Sequence, residues 1–123
     1  MAVFTDLDTF LFLGSFPDLV YKVFRTQEFE RLMKKFLSGS EQERLEDIED
    51  EISEKGFTGD PLGLRFLREK RISGKRIYFL VYEEFKAVLM VSISDKKTQQ
   101  ETIDKIKVFL PEFKKLMEEF IAT

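Results

Sequence analysis

The chain has no cysteine, no histidine and no tryptophan among its 123 residues. The first absence rules out disulfides, thiolate metal sites and cysteine catalysis, and it fits a reducing compartment. The second removes the side chain most often used for general acid–base work near neutral pH. It also argues against a zinc site, since only carboxylates would remain as ligands, and with no phosphate-cradling glycine loop or carboxylate–histidine motif no cofactor is expected. No Lys or Arg precedes Lys22, while Asp6 and Asp8 lie near the start, so the N-terminus does not read as a secretory signal. The early apolar run, residues 10–16, is far too short to span a bilayer. A soluble, cytoplasmic protein without membrane contact is expected.

What is present suits one small domain. Hydrophobic residues make up 43% of the chain, enough for a single packed core at this length. Residues 1–18, MAVFTDLDTFLFLGSFPD, form a leader in which Gly14 and Pro17 stop any long helix. A short helix over 6–13 capped by Thr5 is expected, with the leader packed on the domain or offered to a partner or second copy. Residues 19–123 read as the domain itself.

Its elements follow from periodicity. Residues 19–25 (LVYKVFR) alternate as a strand. Thr26 caps a helix with Phe29, Leu32, Met33 and Phe36 along one stripe, and Ser38-Gly39-Ser40 ends it and starts a second, acidic helix over 41–55. Residues 56–63 (GFTGDPLG) are a loop. Three strands are then expected at 64–72, 75–82 and 87–93, the first two joined by a tight turn at Ser73-Gly74. A last helix over 98–121 carries Pro111, which predicts a kink near Leu110. This order gives an α+β fold: an N-terminal strand and helix hairpin, a three-stranded antiparallel meander and a C-terminal helix, with the helices on one face of the sheet. Apolar stripes on the leader and the last helix allow a homodimer without requiring one.

Charge is unevenly spread. The net charge is −3, with a strongly negative stretch at 41–60 and a positive one at 61–97. The basic residues are Arg65, Arg68, Lys70, Arg71, Lys75, Arg76, Lys86, Lys96 and Lys97. The turn at Ser73-Gly74 draws Lys70, Arg71, Lys75 and Arg76 toward one hairpin end, where like charges oppose folding. A solvated surface with internal ion pairs is one reading of that cluster. A site for a polyanion, RNA first, is the other, since arginine forks match phosphate. Tyr78 and Tyr82 are either core residues or platforms for a base.

Three stretches resemble the RelE/ParE toxin superfamily of type II toxin–antitoxin systems. They are VYKVFRTQEFERLMKKF at 20–36, DPLGLRFLREKRISGKRIYFLVYEE at 60–84 and SDKKTQQETIDKIKVFLPEF at 94–113, the last similar to the HigB-like branch. The resemblance covers about residues 19–121 and implies a RelE-like fold. It further implies a metal-independent mRNA endonuclease acting on translating ribosomes, with mRNA, the ribosome and a cognate antitoxin as partners. Carried onto this chain, it implies catalytic roles for Arg68, Arg76, Lys75 and Tyr78, and RNA binding by Arg65, Lys70, Arg71, Lys96 and Lys97. The chain departs from the family in lacking histidine and the arginine-tyrosine ending of RelE proper, in its acidic balance and in its leader. The alternative is a noncatalytic RelE-like protein that binds a protein partner, as an inhibitor of ParE type or a regulatory module.

Overall fold

The computed structural model describes residues 20–122. In chain order they form β1 (Lys22–Arg25), α1 (Gln27–Phe36), α2 (Gly39–Lys55), β2 (Asp60–Pro61), β3 (Leu67–Ile72), β4 (Lys75–Tyr82), one turn of 3-10 helix (Glu83–Phe85), β5 (Ala87–Asp95), α3 (Gln99–Val108) and α4 (Leu110–Ala122). The strands make one sheet in the order β1-β5-β4-β3-β2. β1 runs parallel to β5, and the other pairs are antiparallel. The expected helix at 6–13 and the packing of the leader lie outside the described residues.

Burial dictates the layering. Every residue of β4 from Arg76 to Tyr82 is buried, so both faces of the strand are covered. Ile77, Phe79 and Val81, with Val88 and Met90 of β5, pack against Phe29 and Met33 of α1 and Leu45 and Ile52 of α2. Tyr78, Leu80 and Tyr82, with Leu89 of β5, pack on the other side against Ile103 and Ile106 of α3 and Met117 of α4. Helices therefore lie on both faces of the sheet, not on one as the sequence suggested. A register shift at Tyr78/Phe79 leaves Val91 as an extra residue in β5. The shift lets Val91 join the α3 side while Met90 and Ile93 stay on the α1 side.

Local chemistry sets the boundaries. The Thr26 hydroxyl accepts from the Phe29 amide at 3.0 Å and starts α1. Ser38 and Glu41 cap each other at the start of α2, with Ser38 Oγ accepting from the Glu41 amide and Glu41 Oε1 from the Ser38 amide. The last helical stretch breaks at Phe109, two residues before Pro111, into α3 and α4. The strand expected from residue 64 begins only at Leu67, because residues 64–66 turn. Gly56 ends α2 at φ 65, and the Tyr21 ring lies where a β-carbon would project. None of the described helices is long and apolar enough to cross a membrane.

One ion pair is buried between layers. Arg25 of β1 donates from Nη2 and Nε to the two carboxylate oxygens of Glu49 in α2, at 2.6 and 2.9 Å. Glu49 is 0% exposed and Arg25 8%. Burial pushes the Glu49 carboxyl up from its ordinary value, against the pull of the Arg25 guanidinium. Glu49→Ala removes the bidentate partner of the buried guanidinium, which keeps Glu30 at 3.5 Å, and is expected to lower the unfolding free energy by about 3 kcal/mol in urea titration. The matched replacement Arg25→Met with Glu49→Leu is expected to recover most of that loss.

Candidate functional site

Strand alternation sorts the basic residues onto different faces. In the β3–β4 ladder Arg71 pairs with Arg76, Lys70 with Ile77 and Ile72 with Lys75. Partners in an antiparallel ladder point the same way. Lys70 and Lys75 therefore turn toward the acidic helix α2, and Arg71 and Arg76 turn toward α3.

On the α2 side the lysines are neutralised. Lys70 Nζ lies 2.6 Å from Glu51, and Lys75 Nζ donates to Glu41 Oε1 at 2.9 Å. The Lys75 hydrogen bond, together with the Ser38 amide, lowers the Glu41 carboxyl to about 2. Arg68 is on this side too, opposite Phe79 in the ladder. Its guanidinium is spent on three backbone carbonyls, those of Thr58 at 2.8 Å, Gly59 at 2.8 Å and Arg65 at 3.0 Å. These bonds fasten the glycine-rich loop to the sheet. Arg65 is exposed and stacks on the Phe57 ring at 3.8 Å.

On the α3 side a polar corner remains where the helices stop covering the sheet. Arg76 is buried there, with Nη1 donating to the Gly74 carbonyl at 3.2 Å. Its Nε is the one buried side-chain polar atom among the described residues without a hydrogen-bond partner. Tyr78 lies two residues along the same face and its hydroxyl is 2.7 Å from Ser94 Oγ. Because Ser94 donates its only hydroxyl proton to the Asp95 carbonyl at 3.0 Å, it accepts from Tyr78. Burial raises the Tyr78 phenol, which stays protonated at neutral pH. Glu69, opposite Tyr78 in the ladder and 2% exposed, accepts from Gln99 Nε2 at 2.7 Å and lies 3.5 Å from Arg71 Nε.

Lys96 and Lys97 follow β5 at the same end of the sheet and are exposed. Their turn is held by the Asp95 carboxylate, which accepts from the Thr98 amide and hydroxyl at 2.9 Å each and is lowered by those bonds. Of the nine residues singled out in the sequence, the structure thus gathers Arg71, Arg76, Tyr78, Lys96 and Lys97 at one end of the sheet. It sends Arg68, Lys70 and Lys75 to the opposite face, and Arg65 to the loop at the far end. Glu69, Ser94 and Gln99 belong to the corner without having been singled out. Alternation alone put Glu69 beside Arg71, whereas Gln99 arrives only through the path of α3. Among the described residues no three acidic side chains converge as a metal site.

No protein-family model and no curated protein matches the sequence. Among solved structures the fold is similar to that of the Escherichia coli toxin RelE, in a mutant form in complex with a peptide of the antitoxin RelBc. The TM-score is 0.54 at 18% sequence identity, over 68% of this chain and 95% of that one. The chain therefore has the RelE-like α+β fold expected from its sequence, with nearly the whole of that smaller chain contained in it.

Two measurements check the placements on the α2 side. The Glu41 carboxyl is depressed below its ordinary 4.5, so its pairing stabilises the fold above pH 4.5 and is lost as pH falls toward about 2. Urea midpoints of Glu41→Gln are expected to vary less across that window than those of the parent protein. Arg68→Ala leaves loop carbonyls without donors and is expected to cost roughly 1–3 kcal/mol of stability.

Proposed function

We propose that the chain is the toxin of a toxin–antitoxin pair, a cytoplasmic endoribonuclease that cuts mRNA on translating ribosomes without a metal and is silenced by a cognate antitoxin. The observation that carries this reading is the gathering of Arg71, Arg76, Lys96 and Lys97 at one end of the sheet of a RelE-like fold. Arg76 Nε makes no hydrogen bond within the described residues, and an RNA phosphate suits a guanidinium fork. The E. coli RelE structure, bound to an antitoxin peptide, supports a protein antitoxin as partner. The Lys96-Lys97-Thr98-Gln99 segment supports the HigB-like branch.

The cut is a transfer of the RNA 2′-oxygen onto the adjacent phosphorus. The bond from phosphorus to the 5′-oxygen breaks, leaving a 2′,3′-cyclic phosphate and a free 5′-hydroxyl. The 2′-hydroxyl must lose a proton and the leaving 5′-oxygen must gain one. In this reading Arg76 and Arg71 hold the phosphate and the negative charge that builds on it. Glu69 is the carboxylate available to take the 2′-proton, and the neutral Tyr78 phenol, buried and donating to Ser94, serves the leaving oxygen only once that hydrogen bond opens. Lys96 and Lys97 bind neighbouring phosphates. Arg68 and Lys75 act as positioning residues, one fastening the loop and the other tying the hairpin to α2.

The noncatalytic reading draws on the chain's acidic balance and on α3 and α4, which cover most of this face. Tightly induced expression with mapping of mRNA 5′ ends separates the two. The catalytic reading expects growth arrest and new cuts inside translated messages. It expects Arg76→Ala to remove them, with a loss on the order of 10²–10³-fold in cleavage rate and an unchanged circular dichroism spectrum. Normal growth with intact messages overturns it in favour of a RelE-like binding protein.

A further inference from the structure

A groove of about 420 Å3 opens at the Tyr82 end of β4, away from the Arg76 corner. Phe57, Phe66, Tyr82, Leu110 and Pro111 make its floor and walls. Its rim is charged. Glu84 faces Lys114 at 3.8 Å, and Glu83 is held by Lys86 and by the Tyr21 hydroxyl. Arg65, stacked on Phe57, makes no close ion pair among the described residues and faces Glu83 only at longer range. Its volume lies within the range of ligand sites, about 300 to 1,000 Å3.

The described chain begins beside this groove. The Val20 and Tyr21 amides both donate to the Ser53 carbonyl, at 3.0 and 2.8 Å, which fixes where the preceding residues arrive. Tyr21 packs on Gly56, next to Phe57, and its hydroxyl bonds Glu83, so a single side chain separates the start of β1 from the groove's rim. The residues before Val20 have the complementary chemistry. Residues 10–16 read FLFLGSF, and the only charges before Val20 besides the terminus are Asp6, Asp8 and Asp18. Burying one phenylalanine is worth about 1.5–3 kcal/mol. Phe16 is four residues from Val20, a reach of roughly 13 Å when extended, and Gly14 and Pro17 are residues that turn a chain back.

We propose that this groove is the docking site of the chain's own N-terminal segment, with the phenylalanines of residues 10–16 on its aromatic floor and an aspartate of the segment facing Arg65. The segment binds in cis. The groove and the Arg76 corner sit at opposite ends of β4, six residues or roughly 20 Å apart, so a docked segment leaves the corner open. The inference stands apart from the ribonuclease reading.

The absence of cysteine makes the test clean. Ser15→Cys is combined in the full chain with Lys114→Cys on the rim, or with Arg44→Cys on the exposed face of α2 as control. Disulfide formation is followed with oxidised glutathione at micromolar protein, by mobility on non-reducing gels. The rim pair is expected to close within one chain at least tenfold faster than the control, and Leu110→Asp is expected to abolish that advantage. Equal rates for rim and control overturn the proposal. Cross-links mainly between two chains also overturn it, in favour of a second copy as occupant. Glu84→Cys replaces Lys114→Cys if the latter fails to fold.

Discussion

The central strand β4 has no solvent face, and the rest of the architecture answers to that. A strand buried on both sides must be covered by two layers, so a chain of this length commits a helix pair to each. The α1–α2 hairpin closes one side and the α3–α4 pair the other. Polar side chains are tolerated along such a strand only where a covering layer ends. In β4 that place is its first two residues, Lys75 and Arg76. The charged part of the candidate chemistry on this strand, Arg76, sits there, with the Tyr78 hydroxyl reaching Ser94 two residues further in.

Charge is then partitioned by the pleat. The basic residues gathered by the hairpin between β3 and β4 would repel one another if all faced the same way. Alternation divides them. Lys70 and Lys75 meet the acidic helix α2 through Glu51 and Glu41, which explains why a helix so rich in carboxylates packs beside a basic strand. Arg71 and Arg76 go to the other side, where among the described residues Glu69 lies beside Arg71 and no ion pair forms with Arg76. The result is a balanced face and an undercompensated one within a single hairpin. An overall charge of −3 therefore says little about what the exposed corner attracts.

Much of this was legible in the sequence. Caps at Thr26 and Ser38, the turn at Ser73-Gly74 and the break near Pro111 rest on local chemistry, and each is found where the residues put it. The two-sided covering of the sheet was missed although β4 reads as a near-continuous apolar run, because a run of that kind does not say which later helix reaches its second face. For the site, alternation separated Arg71 from Arg68 and Lys70. The role of Arg68 in fastening the loop was not legible, since it depends on the carbonyls of Thr58 and Gly59 turning inward. Gln99 reaches Glu69 across 30 positions of sequence, a contact that no local pattern announces.

β2 pairs with β3 only at Asp60–Glu69 and Pro61–Arg68. Beyond Glu69 the outer edge of β3 has no neighbouring strand among the described residues, and an open edge invites another strand to add itself. Here that edge carries Lys70 and Arg71, directly after Glu69. A copy of the chain approaching in antiparallel register would set like charges against like. The same basic residues that draw attention as contacts for a polyanion thus also oppose extension of the sheet along its open edge.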